Sequence, residues 1–177
     1  IQCNPIMVNG VLYGTTPGQK VFALNAKTGK EIWRFDPHKG KSYVGYSRGL
    51  LYWEDGEDKR IYVGATNYYY SINAEIGELV TSFGLDGRID LREHLDTDGI
   101  LRYYSSRAPG VVYNDILILA GAVGEGPFQS APGHIRGFDI QTGERKWIFH
   151  TIPHPGEFGY ETWGPESYKY NGGANAW

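Results

Sequence analysis

Short runs in which apolar and polar residues alternate recur along the whole chain, punctuated by Gly, Asn, Asp and Pro. A period of two predicts half-buried strands, and nowhere does the i, i+3, i+4 spacing of an amphipathic helix persist. Three segments repeat one pattern: Val21 to Phe35, Tyr69 to Phe83 and Ile135 to Phe149. Asn25, Asn73 and Asp139 fill one column of it, Gly29, Gly77 and Gly143 a second, and Trp33, Thr81 and Trp147 a third. Each segment predicts a β-hairpin. A strand runs into a turn whose Asx side chain can accept hydrogen bonds from the backbone ahead and whose Gly supplies positive φ. A second strand then leaves with Trp and Phe at alternate positions. The Trp has room to pack between neighbouring sheets, and Thr81 predicts weaker packing around the middle repeat.

Another strand pair precedes each hairpin: Pro5 to Thr15, Gly49 to Trp53 with Arg60 to Ala65, and Gly110 to Ala120. The repeat period is 48 residues from Gly29 to Gly77 and 66 from Gly77 to Gly143. Four strands at such a period make a propeller blade, so the chain is expected to be all-β, a β-propeller of about three blades at 1–48, 49–105 and 106–177 with no second domain. Helical solenoids are excluded. Closing a propeller takes roughly four to eight blades. The chain also begins at Ile1 without an initiator Met and stops at Trp177 behind the glycine-rich run 171–176. Both ends are expected to be cuts. The extra length of the third repeat falls in Gly84 to Arg102, where Asp86, Arg88, Asp90, Arg92, Glu93, Asp96 and Asp98 predict a solvated insertion. A calcium-binding loop is the alternative there, without the spacing of an EF-hand.

Composition agrees with a β-protein that has a real core: 25 Gly, 14 Tyr and 41 % apolar residues. A net charge of −3 with dispersed basic residues argues against a nucleic-acid surface. Cys3 is alone, so it forms no internal disulfide, and it is expected to be a small buried apolar residue. There is no membrane-length apolar run and no signal peptide, the latter carrying no weight if the N-terminus is a cut.

Propellers place function on the loops that link blades, and three loops stand out. In Tyr43 to Trp53, Arg48 lies between Ser47 and Gly49. From a fixed backbone it can aim a planar guanidinium at a carboxylate, the alternative being a surface salt bridge. Tyr104 to Pro109, with Ser106 and Arg107, is followed after a strand by Gly121 to Pro127, where glycines bracket Glu125. That arrangement lets oxygens converge on a hard cation; it is also an ordinary glycine-rich turn. In Trp163 to Trp177, glycines precede an aromatic ring that can lie flat on a planar ligand or simply pack in the core.

Together with the tryptophan repeats, these loops resemble the PQQ-dependent (quinoprotein) dehydrogenases, a family that includes methanol, alcohol, quinate and membrane glucose dehydrogenases. The likeness covers essentially the whole chain, and Ala23 to Trp33 is close to the family's tryptophan-docking motif. It implies eight blades in the intact protein, pyrroloquinoline quinone (PQQ) and Ca2+ as cofactors, and oxidation of an alcohol or a sugar or polyol. It implies ubiquinone or cytochrome c as acceptor and a periplasmic place, soluble or attached to the inner membrane. Arg48 looks like the arginine that pairs with a PQQ carboxylate, and Ser106 matches a hydroxyl residue that bonds the cofactor. Trp177 resembles the tryptophan on which the ring stacks, and Glu125, across a one-residue gap, a carboxylate that binds calcium. Gln2 stands where many members carry a Glu that contacts the quinone, which makes that contact uncharged here. In the implied chemistry calcium acts as a Lewis acid, a carboxylate removes the alcohol proton and hydride passes to the quinone. The family's Asp base lies beyond Trp177, so the fragment is expected to be inactive alone.

Ser42 and Tyr43 occupy the place of the adjacent cysteines of methanol-type members. The chain therefore resembles the glucose and quinate branch, and Pro132 to Asp139 points the same way. Tryptophan-repeat propellers also occur as non-catalytic periplasmic scaffolds that bind proteins, and Tyr-rich propellers can bind carbohydrate. A scaffold needs the repeats but not Arg48, Ser106, Glu125 and Trp177 together.

Overall fold

The computed structural model describes residues 3–93, 95, 103–124 and 130–172. Its regular secondary structure is almost entirely antiparallel sheet. The first four-stranded meander is β1 (Ile6–Val8), β2 (Val11–Thr15), β3 (Val21–Asn25) and β4 (Glu31–Phe35). The second is β5 (Leu51–Asp55), β6 (Asp58–Ala65), β7 (Tyr68–Asn73) and β8 (Arg88–Asp90). After the short strand β9 (Tyr104–Ser105), the third comprises β10 (Val111–Tyr113), β11 (Ile116–Leu119), β13 (Ile135–Asp139) and β14 (Arg145–Phe149). Between β11 and β13, β12 (Ala122–Val123) pairs with β9 as a small fourth sheet. Among the described residues, helix is confined to a 3-10 turn at Tyr160–Thr162 and the single turn α1 at Ser167–Tyr170.

The repeat columns do what their chemistry requires. Asn25 Oδ1 accepts from the N–H groups of Lys27 and Thr28 at 3.1 and 3.0 Å. Asn73 and Asp139 make the same pair of bonds, Asn73 to Glu75 and Ile76, Asp139 to Gln141 and Thr142. Gly29, Gly77 and Gly143 turn the chain at φ of 70°, 76° and 75°, the left-handed region that an L side chain enters only with strain. The Asp139 carboxyl differs from its two amide counterparts in being ionisable. Burial alone would raise its pKa. The bonds from Thr142 and Gln141, with Lys146 nearby, outweigh burial and hold it below the ordinary carboxylate range.

The core lies between blades, not within one. Tyr13, Val21, Ala23 and Trp33 of the first sheet meet Ile61, Val63, Tyr70 and Ile72 of the second. On the other face Tyr62, Tyr69 and Phe83 meet Leu117, Leu119, Phe138 and Ile140 of the third. The middle blade is thus covered on both sides, which is why Arg60 to Ala65 in β6 is buried without alternation while β3 alternates. Burying a side chain such as Ile61 is worth about 1.5–3 kcal/mol, and each inter-blade seam contains many.

Trp33 docks as its column predicts. Its indole N–H donates to Ala74 O at 2.9 Å, and a Cβ on Gly77 would lie 2.6 Å from its Cδ2. Tyr13 OH donates to the same carbonyl at 3.2 Å. At the next seam Tyr62 OH donates to Ile140 O, the counterpart of Ala74, at 2.5 Å.

Three expectations are corrected. The second strand of the middle hairpin does not run from Glu78 to Phe83. Leu79 forms only a bridge to Ile72, the chain turns at 81–83, and the outer strand is β8, paired to β7 at its other end. With Thr81 in place of Trp, nothing large holds that segment on the sheet, and Phe83 turns into the core against Tyr62 instead. The seam is nevertheless filled: Gly84 N–H donates to Thr142 O at 2.8 Å, and Ile89 and Phe83 approach Gly143 where Trp33 covers Gly77. Second, the described half of the charged segment is not a solvated insertion. Ile89, Leu91 and Leu95 are buried, Arg88 lies over the Tyr68 ring at 4.3 Å, and Asp90 binds Asn67 and Arg92. Its charges flank apolar residues that alternate into the core. Third, Cys3 is half-buried and free, because it precedes β1 at the end of the sheet.

Candidate functional site

The segments leading into the innermost strands of the three blades are laced together by backbone. Asn4 N–H donates to Arg48 O at 3.1 Å, Asn4 bridges Gly49 in parallel, and Arg48 N–H donates to Arg107 O at 2.8 Å. Gly49 lies against Pro109, where an added Cβ would come within 3.6 Å of the proline ring. Residues 4, 48 and 107, more than a hundred positions apart at the extremes, therefore share one lip of the molecule.

Arg48 is half-buried and borders a groove of about 430 Å3 with Asn4, Pro109, Val111, Ile118 and Leu119. A guanidinium at the edge of an apolar groove suits a flat ligand that carries a carboxylate, since Arg offers a planar fork of donors while the groove covers the ring. Ser47 shapes the approach: its hydroxyl donates to Gly49 O at 3.0 Å, folding the backbone under Arg48.

Ser106 is fully buried. Its N–H donates to Thr66 O at 2.8 Å, its side chain packs on Gly64 of β6, and Oγ has no hydrogen-bond partner among the described residues. Any side chain at position 64 would fill the place of this hydroxyl. Buried hydroxyls are normally satisfied, so Ser106 carries unused bonding capacity one residue from the carbonyl that receives Arg48. Its side chain does not border the Arg48 groove. The backbone is shared, but the two side chains open onto different faces of it.

Arg107, to which the sequence reading gave no role, organises the surroundings. Its Nη1 donates to Tyr46 OH, its Nη2 to Tyr103 OH at 2.8 Å and its Nε to Ser105 Oγ at 3.1 Å, and the guanidinium lies over the Tyr46 ring at 4.5 Å. Gln19 Nε2 reaches Tyr46 O at 3.3 Å. Segment 43–48 is thereby tied to both neighbouring blades. The signal for this was present, a lone Arg flanked by tyrosines on two loops, but sequence does not say which tyrosines meet it. Also unread was the His150, His154 spacing, which the fold completes with His134.

Gln2, Glu125 and Trp177 lie outside the described residues. Gly172, the last described residue before Trp177, is seated against the third blade, its carbonyl accepting from Gly133 N–H. The Arg48 guanidinium at the groove has the chemistry to meet a carboxylate of a bound cofactor, whereas the unsatisfied Ser106 hydroxyl is buried against Gly64 and does not reach that groove. No described residue tests the calcium ligand.

Face-to-face antiparallel four-stranded blades joined by Trp-on-Gly docking define a segment of a β-propeller of the tryptophan-docking class. The sequence model of the PQQ family, described as glucose/ethanol/alcohol dehydrogenase, beta-propeller domain, matches residues 1–177. The chain belongs to this family. It is 32% identical over 165 residues to the quinoprotein glucose dehydrogenase of Escherichia coli (strain K12), covering 84% of this chain and 20% of the relative. It is 28% identical over 173 residues to quinoprotein glucose dehydrogenase A of Acinetobacter calcoaceticus, covering 85% of this chain and 22% of the relative. Among solved structures, the quinohemoprotein alcohol dehydrogenase ADHIIG of Pseudomonas putida superposes with a TM-score of 0.69 at 26% identity, over 94% of this chain and 24% of that one. The chain thus spans about a quarter or less of the length of these relatives.

Proposed function

We propose that these residues form part of the cofactor-holding wall of a PQQ- and calcium-dependent dehydrogenase that oxidises an alcohol or a sugar or polyol and passes electrons to ubiquinone or a cytochrome c. The observation that carries this reading is the Arg48 N–H to Arg107 O bond, which sets a carboxylate-binding guanidinium beside the residue that follows an unsatisfied buried serine. When bound, PQQ supplies the two-electron acceptor that protein side chains lack. Arg48 holds one of its carboxylates, Ser106 donates to an oxygen, and the Tyr46–Arg107–Tyr103 cluster keeps the Arg48 segment in register between blades. In the same reading Gln2 and Trp177 complete the cofactor contacts, Glu125 ligates calcium, and the base lies beyond Trp177. The protein works in the periplasm, soluble or held at the inner membrane.

The test is reconstitution of the full-length protein with PQQ and Ca2+. The expected result is quinone absorbance that co-purifies with the protein and reduction of an artificial acceptor by an alcohol or sugar. Arg48→Ala should weaken PQQ retention by about tenfold or more, the scale of one lost charge-assisted bond of 1.5–3 kcal/mol. Absence of PQQ binding by the folded protein would reject the reading in favour of a scaffold.

A further inference from the structure

The connection that follows β14 gathers three imidazoles, of which His134 directly precedes Ile135 of the Arg48 groove. His134 precedes β13 and is buried, while His150 and His154 flank a Thr-Ile-Pro turn and are half-buried. One nitrogen from each lies within 4.8 Å of the other two. The His150 and His154 rings stack at 3.8 Å and 4°, and His134 meets His150 edge-on at 4.6 Å. Glu157 holds the group from outside: its carboxylate accepts from His150 Nδ1 and from His154 N–H, each at 2.7 Å. A carboxylate requires the proton on Nδ1 of His150, which leaves Nε2 as the lone-pair nitrogen. That is the outer-shell pairing found around metal-bound imidazoles.

We propose that His134, His150 and His154 form a transition-metal site of the zinc type, with Glu157 as its outer carboxylate, which clips the segment after β14 to the start of β13. An all-imidazole set suits zinc-like ions and not calcium, which takes oxygen. Tetrahedral ligands at about 2.0–2.1 Å from zinc lie about 3.4 Å apart. The widest pair must therefore close by about 1.4 Å, and the two stacked rings must fan so that both lone pairs meet one ion. These are side-chain rotations. Thr151 N–H, which donates to His134 Nδ1 at 3.2 Å, is released in the process. The clip bears on one blade only and does not rest on the quinone reading.

The experiment uses the full-length protein without added PQQ and Co2+ as the probe. One equivalent should give the visible spectrum of a four-coordinate centre with nitrogen ligands, displaced by Zn2+, and Zn2+ should raise Tm. The double variant His134→Gln, His154→Gln should lose the spectrum and the Tm rise, Glu157→Gln should weaken affinity about 10–100-fold, and His38→Gln should change neither. A cobalt spectrum that survives the double variant overturns the proposal, as does failure of the wild-type protein to bind Co2+ at 100 equivalents. Should the double variant not fold, X-ray absorption of the zinc-loaded wild type decides. Three imidazole nitrogens at about 2.0 Å support the site and an oxygen-only shell overturns it.

Discussion

Trp33 and Gly77 meet face to face across the first seam, and the absence of a side chain on Gly77 makes room for the indole. A Cβ at position 77 would lie within 2.6–2.8 Å of three indole atoms, and the glycine also holds φ at 76°. Gly10 has the same backbone, φ 79°, with nothing within 4 Å of the missing Cβ. Gly77→Ala should therefore lose more stability than Gly10→Ala. Both carry the conformational cost of about 1–3 kcal/mol for a left-handed non-glycine residue, and only the first adds overpacking, typically 1–3 kcal/mol more. Denaturant midpoints for the two variants check this, and equal losses would mean that the indole moves aside freely.

The same seam allows the ring to be separated from its hydrogen bond. Trp33→Phe keeps most of the apolar contact but removes the donor to Ala74 O, which retains Tyr13 OH. The loss should be about 1 kcal/mol, that of one net hydrogen bond, whereas Trp33→Ala should cost about 3–5 kcal/mol. Thermal unfolding of both variants distinguishes docking by shape from docking by the N–H. A Phe variant as unstable as the Ala variant would count against shape.

The propeller class and the Asx–Gly–Trp turns were legible because each rests on local chemistry: a side chain that bonds two residues ahead, a glycine at positive φ, a ring at a fixed offset. The middle blade broke the reading at Thr81. Without Trp the outer strand shifts from residues 78–83 to Arg88–Asp90, and a period-two pattern cannot say which of two candidate segments will pair with β7. Arg48 and Ser106 were found through motif likeness, and the fold brings their backbones together. That Ser106 faces Gly64 and not the Arg48 groove, and that Arg107 gathers Tyr46 and Tyr103, are results of inter-blade packing that no local pattern encodes.

Ser106 gives a prediction in which stability and binding part company. Its hydroxyl is buried without a partner among the described residues, so Ser106→Ala removes an unsatisfied group and should leave the cofactor-free protein equally stable or up to about 1–3 kcal/mol more stable. PQQ retention should fall about fivefold or more, the worth of one hydrogen bond of about 1 kcal/mol. Gly64→Ala should displace the serine and lower both. Equilibrium dialysis of PQQ alongside thermal unfolding tests the split, and a Ser106→Ala protein that is markedly less stable would show the hydroxyl to be satisfied in the folded chain.

The Asx column provides a pH test because two of its members are amides and one is an acid. The Asp139 carboxyl is held below the ordinary range by Thr142, Gln141 and Lys146 against the opposing effect of burial. A carboxylate with a depressed folded-state pKa contributes stability that is present above its unfolded value of about 3.9 and is lost as pH falls through the folded value. Asp139→Asn keeps the Oδ1 acceptor that serves Asn25 and Asn73 in the same turn. The variant should be less stable than the wild type near pH 7 by what the charge contributes, and should lose less stability on acidification from about pH 5 downward, because it has no proton to take up. Unfolding midpoints across that range should converge or cross as pH falls. Curves that stay parallel would show that the turn in the third blade gains nothing from the charge on Asp139.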